Sequence, residues 1–259
     1  MTIDSAGDLV VLLEFSASDP SQSISNALAT SLPRPTLDLD LIGAGYGRET
    51  SLERRAKLLA DDVAAAGETG VVLAASCAAS AMLIPAATRI ARRGTRVRLA
   101  AVDPVPVTTG HIRHTLATIA GTLGIGGAGP AVEDLDLGGT DEAVLARIEA
   151  LLGDWVEVFL REAAMDPEDQ ELIRSDLLDR YLRWHSFLIA ARDVPAQDPA
   201  CRVEVFLTDP SSDPAALFAS RPSVRRHRYP HRDTAALERA DLLDDLRTTL
   251  ISGSLRPAG

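Results

Sequence analysis

Aromatic side chains are scarce, at 4% of the 259-residue chain, so aliphatic and alanine packing must carry any core. Cysteine is scarcer still. Cys77 and Cys201 are the only two, too few for a disulfide framework, and a cytoplasmic location is expected. The first residues, Met1 to Asp8, lack the basic and apolar runs of a secretory leader. Basic charge is outweighed, leaving a net charge of −11, which opposes binding to nucleic acid or to an anionic membrane. An acidic partner would need a local basic patch. No His, Cys, Asp and Glu spacing suggests a metal site, and no cofactor is expected. Internal repeats are also lacking.

Charge is missing altogether from Thr69 to Thr88, a run that approaches the length of a membrane span. It opens with Thr69-Gly70, is rich in Ala, Ser and Cys, and contains Pro85. That composition predicts a strand, a turn and a helix of a water-soluble domain.

The chain alternates short apolar or alternating runs with helical periodicity. Strands are predicted at Leu9–Phe15, Thr36–Ile42, around Val71, at Arg96–Val102, at Cys201–Leu207 and at Ser223–Tyr229. Helices are predicted over about Ser21–Leu32, from a capping box at Thr50-Ser51-Leu52-Glu53 to Ala66, from Cys77 to Arg93, over Thr108–Ala120, and from an Asp233 cap to Ile251. From Pro130 to Ala196 the pattern is helical throughout. Such alternation predicts an α/β fold with a mostly parallel sheet flanked by helices. The core would comprise residues 1–128 and 197–259, with residues 129–196 inserted as a helical lid.

Ligand sites in parallel sheets lie at the carboxyl ends of strands, and Cys77, Asp103 and His231 each follow a predicted strand end. Cys77 stands where strand gives way to helix, among the small neighbours Ala75, Ala78 and Ala79, as a nucleophile held on a sharp turn would require. A thiol nucleophile needs a base, and the base needs a partner to fix its tautomer. His227 competes with His231 for the role of base; the loop position of His231 suits a mobile imidazole better than a strand does. Ser76 falls one position off the turn. A cysteine in an alanine-rich strand is by itself more often a small core residue than a nucleophile, so the argument rests on the three residues together.

In this order and context the chain resembles the α/β-hydrolase fold, and within it the thioesterases of polyketide and nonribosomal peptide synthesis. The residues carrying the resemblance are Phe15-Ser16-Ala17-Ser18, the Gly43–Ala66 loop and helix, Ala75-Ser76-Cys77-Ala78-Ala79, Val102-Asp103-Pro104 and Tyr229-Pro230-His231. The family's Gly-x-Ser-x-Gly turn has both glycines replaced by alanine here, and its serine by cysteine. Pro85 within the following helix is expected to kink it. The cysteine makes the chain similar to the Dieckmann cyclases that form tetramate and pyridone rings.

That resemblance implies a Cys77, Asp103, His231 triad and an oxyanion hole from the N–H groups of Ala78 and of Ala17 or Ser18. It implies apolar cover from lid residues such as Trp155, Tyr181 and Trp184, which serve equally well as lid packing. The implied partner is an acyl or peptidyl carrier protein bearing phosphopantetheine, with Arg225, Arg226 and Arg228 as docking residues. A cysteine thioesterase that hydrolyses or lactonises its acyl chain shares all these residues, and a non-catalytic protein with a degenerate turn is the third reading.

Overall fold

A computed structural model describes residues 8–15, 23–28, 32–43, 45–163, 166–208, 214–219, 223–230 and 236–251. In chain order the elements are β1 (Leu9–Glu14), α1 (Ile24–Leu28), β2 (Thr36–Asp40), α2 (Leu52–Ala65), β3 (Gly70–Ser76), a 3₁₀ turn (Cys77–Met82) and α3 (Leu83–Ala91). They continue with β4 (Arg96–Val102), α4 (Thr109–Thr122), α5 (Ala128–Glu133), α6 (Asp141–Glu162), α7 (Pro167–Ala191), β5 (Val203–Leu207), β6 (Val224–Arg228) and α8 (Ala240–Ile251).

The six strands form one sheet in the order β2-β1-β3-β4-β5-β6, and every pairing is parallel. Parallel neighbours must be reached by crossovers that cover the sheet, which explains why β1, β3 and β5 are apolar and buried along nearly their whole length. One face presents Val10, Leu12, Val72, Ala74, Ala100, Val102 and Phe206 to Ile24 and Leu28 of α1 and to Leu242, Leu246 and Leu250 of α8. Those α8 leucines recur every four residues, the spacing of a single helical stripe. On the other face α3 packs against β3 and β4. Alanine occupies the centre of the sheet, at Ala74, Ala75, Ala100 and Ala101, all fully buried. Helices can approach closely over so thin a layer.

The described residues divide into two compact units. One holds the sheet with α1, α3 and α8, and its parts are Met1–Gly43, Glu53–Pro106 and Val194–Gly259. The other comprises Ala44–Leu52 and Val107–Asp193. The division differs from the predicted boundaries because α4, read from the sequence as part of the core, packs with α5 and α7. Arg113 on α4 donates to the carbonyls of Val132, Glu133 and Leu135. The predicted end of α4 in the glycine-rich run is a Schellman motif. Gly124 has φ +70°, Ile125 N–H reaches Ala120 O at 2.8 Å, and Gly124 N–H reaches Gly121 O at 3.1 Å.

The expectation for Pro85 is corrected. The segment after β3 is a 3₁₀ turn for six residues before α3 begins at Leu83. Pro85 thus lies in the first turn of α3, just after the junction of the 3₁₀ and α segments, rather than in a helix interior.

Within the helical unit, α6 and α7 pair through Val144, Ile148, Leu152, Trp155, Val156 and Leu160 on one side and Leu182, Phe187 and Leu188 on the other. His185 of α7 is fully buried. Its Nδ1–H donates to Tyr181 O at 2.8 Å, and burial holds its pKa down to about 4. The ring stays neutral in the folded chain while the unfolded chain takes a proton below about pH 6.5. Stability should therefore be lost as pH falls from about 6.5 to about 4, by up to about 3 kcal/mol. Urea denaturation across that range checks this, and His185→Leu should flatten the slope.

Candidate active site

The carboxyl edge of the sheet is built around β3 and β4. Their last paired residues are Ser76 and Val102, so Cys77 and Asp103 are the next residue on each of two adjacent strands. Both adopt left-handed backbone conformations, with φ +47° and +41°. Three described non-glycine residues have positive φ, and two of them are these. Such conformations cost about 1–3 kcal/mol each and persist only where the surroundings enforce them. A left-handed residue at a strand end turns the chain sharply and leaves its side chain at the tip of the turn. This is the geometry of a nucleophile elbow.

Ser76, the alternative nucleophile, is still extended at φ −116° and ψ 155° and paired in β3. Ala75 and Ala79, at the positions of the two glycines in a Gly-x-Ser-x-Gly turn, are both fully buried, so the packing has room for a Cβ at each position. The strain sits on Cys77 itself. Ala78 is the second residue of the 3₁₀ segment that Cys77 begins, with its N–H in the first turn, where backbone donors lack helical partners.

Several bonds brace this edge. Val105 N–H donates to Cys77 O at 3.3 Å, and Asp103 N–H to Phe206 O at 2.8 Å. The Asp103 carboxylate is gripped by Thr208, which follows β5. Thr208 N–H reaches Oδ1 at 2.7 Å and its hydroxyl reaches Oδ2 at 2.5 Å. Thr208 is a functional candidate that sequence reasoning missed, because its role depends on β5 lying beside β4. Burial, and then the negative charge of Asp103, push the Cys77 thiol up from its ordinary pKa. An ionised sulfur there requires a proton acceptor.

His231, Ala17 and Ser18 lie outside the described residues, as do Arg221 and Arg232. The chain just before His231 is firmly held. Arg239, 3% exposed, donates to Pro230 O at 2.6 Å, stacks its guanidinium over Tyr229 at 5.3 Å, and pairs with Asp241 at 2.9 Å. Tyr229 donates to Asp245 at 2.7 Å. His227 is committed elsewhere. It is paired with Glu204 at 2.6 Å and stacked on Phe206 at 4.8 Å.

Trp155 is buried in the α6–α7 layer, Trp184 stacks with Phe187 at 6.2 Å, and Arg180 lies over the Tyr181 ring at 5.6 Å. Tyr181 and Trp184 are half-buried. Arg225, Arg226 and Arg228 are exposed along β6, the edge strand. Among the described residues no cluster of three or more His, Cys, Asp and Glu side chains could hold a metal ion. No helix among them is long and apolar enough to cross a membrane.

No family model matches the chain, and no curated protein matches it by sequence. Solved structures do match. The Vlm2 thioesterase domain bound with a dodecadepsipeptide is 19% identical, with 94% of this chain and 92% of that one covered at a TM-score of 0.50. The RedJ thioesterase of the prodiginine pathway in Streptomyces coelicolor is 18% identical, with coverages of 95% and 91% and a TM-score of 0.51. The chain has the α/β-hydrolase fold of these thioesterase domains. A four-domain nonribosomal peptide synthetase, AB3403, matches at a TM-score of 0.56 and 14% identity, and there this chain spans 20% of the other's length.

The grip of Thr208 on Asp103 can be measured apart from any activity. Thr208→Val should destabilise the fold by about 1–3 kcal/mol, the range for a hydrogen bond to a charged group. Thr208→Ser should restore most of it. Urea denaturation midpoints of the three proteins provide the comparison.

Proposed function

We propose that the protein is a thioester-processing Dieckmann cyclase. It takes a β-ketoacyl-aminoacyl chain from a carrier protein onto Cys77 and closes it to a tetramate or pyridone ring. The observation that carries this reading is a strained cysteine at the β3 turn, in step with a strained and doubly hydrogen-bonded aspartate at the end of β4. The shared fold of thioesterase domains supports it.

In this reading His231 removes the Cys77 proton, and Asp103 orients the imidazole and stabilises its charged form. The sulfur attacks the thioester carbonyl. The oxyanion is met by the N–H of Ala78 and that of Ala17 or Ser18. Collapse of the tetrahedral adduct expels the phosphopantetheine thiolate, which takes the proton back from His231. The chain is then a thioester of Cys77. Its acidic carbon, lying between two carbonyls, loses a proton to His231, and the carbanion attacks the Cys77 thioester carbon. A C–C bond forms, the C–S bond breaks, and Cys77 leaves as thiolate and regains the proton.

Cysteine suits this sequence better than serine. A thioester is the softer electrophile and stays reactive toward a stabilised carbanion. The raised pKa of Cys77 accords with a thiol that is ionised by a base during the reaction. Hydrolysis by water of the same acyl-enzyme is the second reading, favoured by the thioesterase neighbours themselves.

Arg225, Arg226 and Arg228 are exposed cations of β6 on a chain of net charge −11 and would dock the acidic carrier protein or its phosphopantetheine phosphate.

Incubation with a synthetic N-acetoacetyl-aminoacyl thioester tests the reaction. A tetramic acid is expected, and a free carboxylic acid in its place would establish hydrolysis. Cys77→Ala should lower turnover at least about 1,000-fold; unchanged turnover would remove Cys77 from the mechanism. Arg225→Glu with Arg226→Glu should raise KM for a carrier-bound substrate and leave a small thioester mimic unaffected. Equal effects on both would end the docking assignment.

A further inference from the structure

Asp103 and the peptide that leads into His231 are joined by a short chain of bonds across three strand ends. Thr208 holds the Asp103 carboxylate, and the residue before it, Leu207, accepts the Tyr229 N–H at 2.9 Å. The β5–β6 pairing ends there, at Leu207 and Arg228. The next hold on the chain is at the Pro230 carbonyl oxygen, which takes a hydrogen bond from Arg239 Nη1 at 2.6 Å. That oxygen belongs to the peptide whose nitrogen is His231's, and a planar peptide passes the placement of one end on to the other.

Arg239 uses every side of its guanidinium to make that hold. Nε and Nη2 both reach the Asp241 carboxylate, at 3.2 and 2.9 Å, while the flat face lies over the Tyr229 ring. A cation this deeply buried is costly unless its donors are met, and the geometry meets them. Asp241 stands in the first turn of α8, and Tyr229 is tied to the same helix through Asp245. Leu242, Leu246 and Leu250 seat that helix on the sheet. The hydrogen bond to Asp241, and then the charges of Asp241, Tyr229 and Asp103, hold the guanidinium protonated, so Asp103 lies within reach of its field. A lysine could supply the charge but not the fork, because one ammonium cannot grip a carboxylate with two donors, cover a ring and reach a carbonyl together.

We propose that Arg239 is a positioning residue for the base: by holding Pro230 O it sets the backbone from which His231 acts in step with Asp103 and Cys77. The proposal rests on the reading of His231 as that base. It makes the shape of the guanidinium, and not its charge alone, a requirement of the site.

Alkylation of Cys77 tests this without a substrate, since burial and Asp103 raise that thiol and its ionisation at neutral pH calls on the base. The full chain carries Cys201→Ser, and His231→Ala is the reference. Iodoacetamide labelling should slow at least about five-fold in Arg239→Gln, and nearly as much in Arg239→Lys, because the lysine lacks the fork. With a small thioester mimic, thiol release reads the same whether the acyl group leaves by ring closure or by hydrolysis. There both variants should lose at least about ten-fold in kcat, with KM held within about two-fold. Wild-type labelling in Arg239→Gln would overturn the proposal, and full retention in Arg239→Lys would reduce Arg239 to a charge and overturn it too. A role confined to stability would lower the urea midpoint while leaving labelling unchanged, or speed labelling by opening the site; either result counts against positioning. The base assignment is judged separately: wild-type labelling in His231→Ala removes the base and this proposal with it, whereas slow labelling there beside an unaltered Arg239→Gln removes only the proposal. If the arginine variants do not fold, Asp241→Asn, which keeps the guanidinium and loosens its grip, carries the same expectation with a smaller factor, and wild-type labelling in it is the overturning result.

Discussion

The site depends on the register between β3 and β4. Their ladder runs from Gly70 opposite Arg96 to Ser76 opposite Val102, so the two strands end together and their next residues emerge side by side. A slip of one residue would put every side chain of a strand on the opposite face and would separate Cys77 from Asp103. Buried alanines, valines and leucines on both faces of β1, β3 and β4 specify that register. The positions of thiol and carboxylate are thus a property of the core.

Holding two adjacent residues in left-handed conformations costs energy, and the bracing around them is correspondingly dense. Phe206 O receives the Asp103 N–H, Thr208 takes both carboxylate oxygens, and the Val105 N–H ties back to Cys77 O. Three strand ends are joined in this way. β5 contributes no atom to the proposed bond-making steps, yet Phe206 in it and Thr208 just after it both hold Asp103. The buried Arg239 has a similar place in the loop after β6, where it holds Tyr229 and Pro230 immediately ahead of His231.

Much of this was legible in the sequence, for reasons that differ from element to element. Apolar runs such as Leu9–Glu14 and Val203–Leu207 announce buried parallel strands, and Cys77 and Asp103 stand directly after two of them. The helical stretch from Pro130 to Ala191 shows its periodicity without interruption. What the sequence could not show is conformational or relational. Nothing in Ala-Ser-Cys-Ala-Ala, which holds no glycine, declares that Cys77 takes the positive φ. The 3₁₀ segment before Pro85 was hidden because apolar spacing does not distinguish 3₁₀ from α over six residues. Thr208 and Arg239 depend on which strand neighbours which, and α4 joins the helical unit through contacts of Arg113 with carbonyls, which no side-chain pattern encodes.

The exposed arginines of β6 have a consequence separate from any docking role. β6 is the last strand of an open sheet, and an unpaired strand edge is a template for adding another chain. Arg225, Arg226 and Arg228 set like charges along that edge, so two molecules approaching edge to edge repel each other before backbone hydrogen bonds can form. Neutral replacements there would remove a safeguard against self-association at high concentration, whereas acidic replacements would keep one of opposite sign. The colloidal behaviour of the protein is in this way tied to the same few side chains that the proposed function assigns to docking.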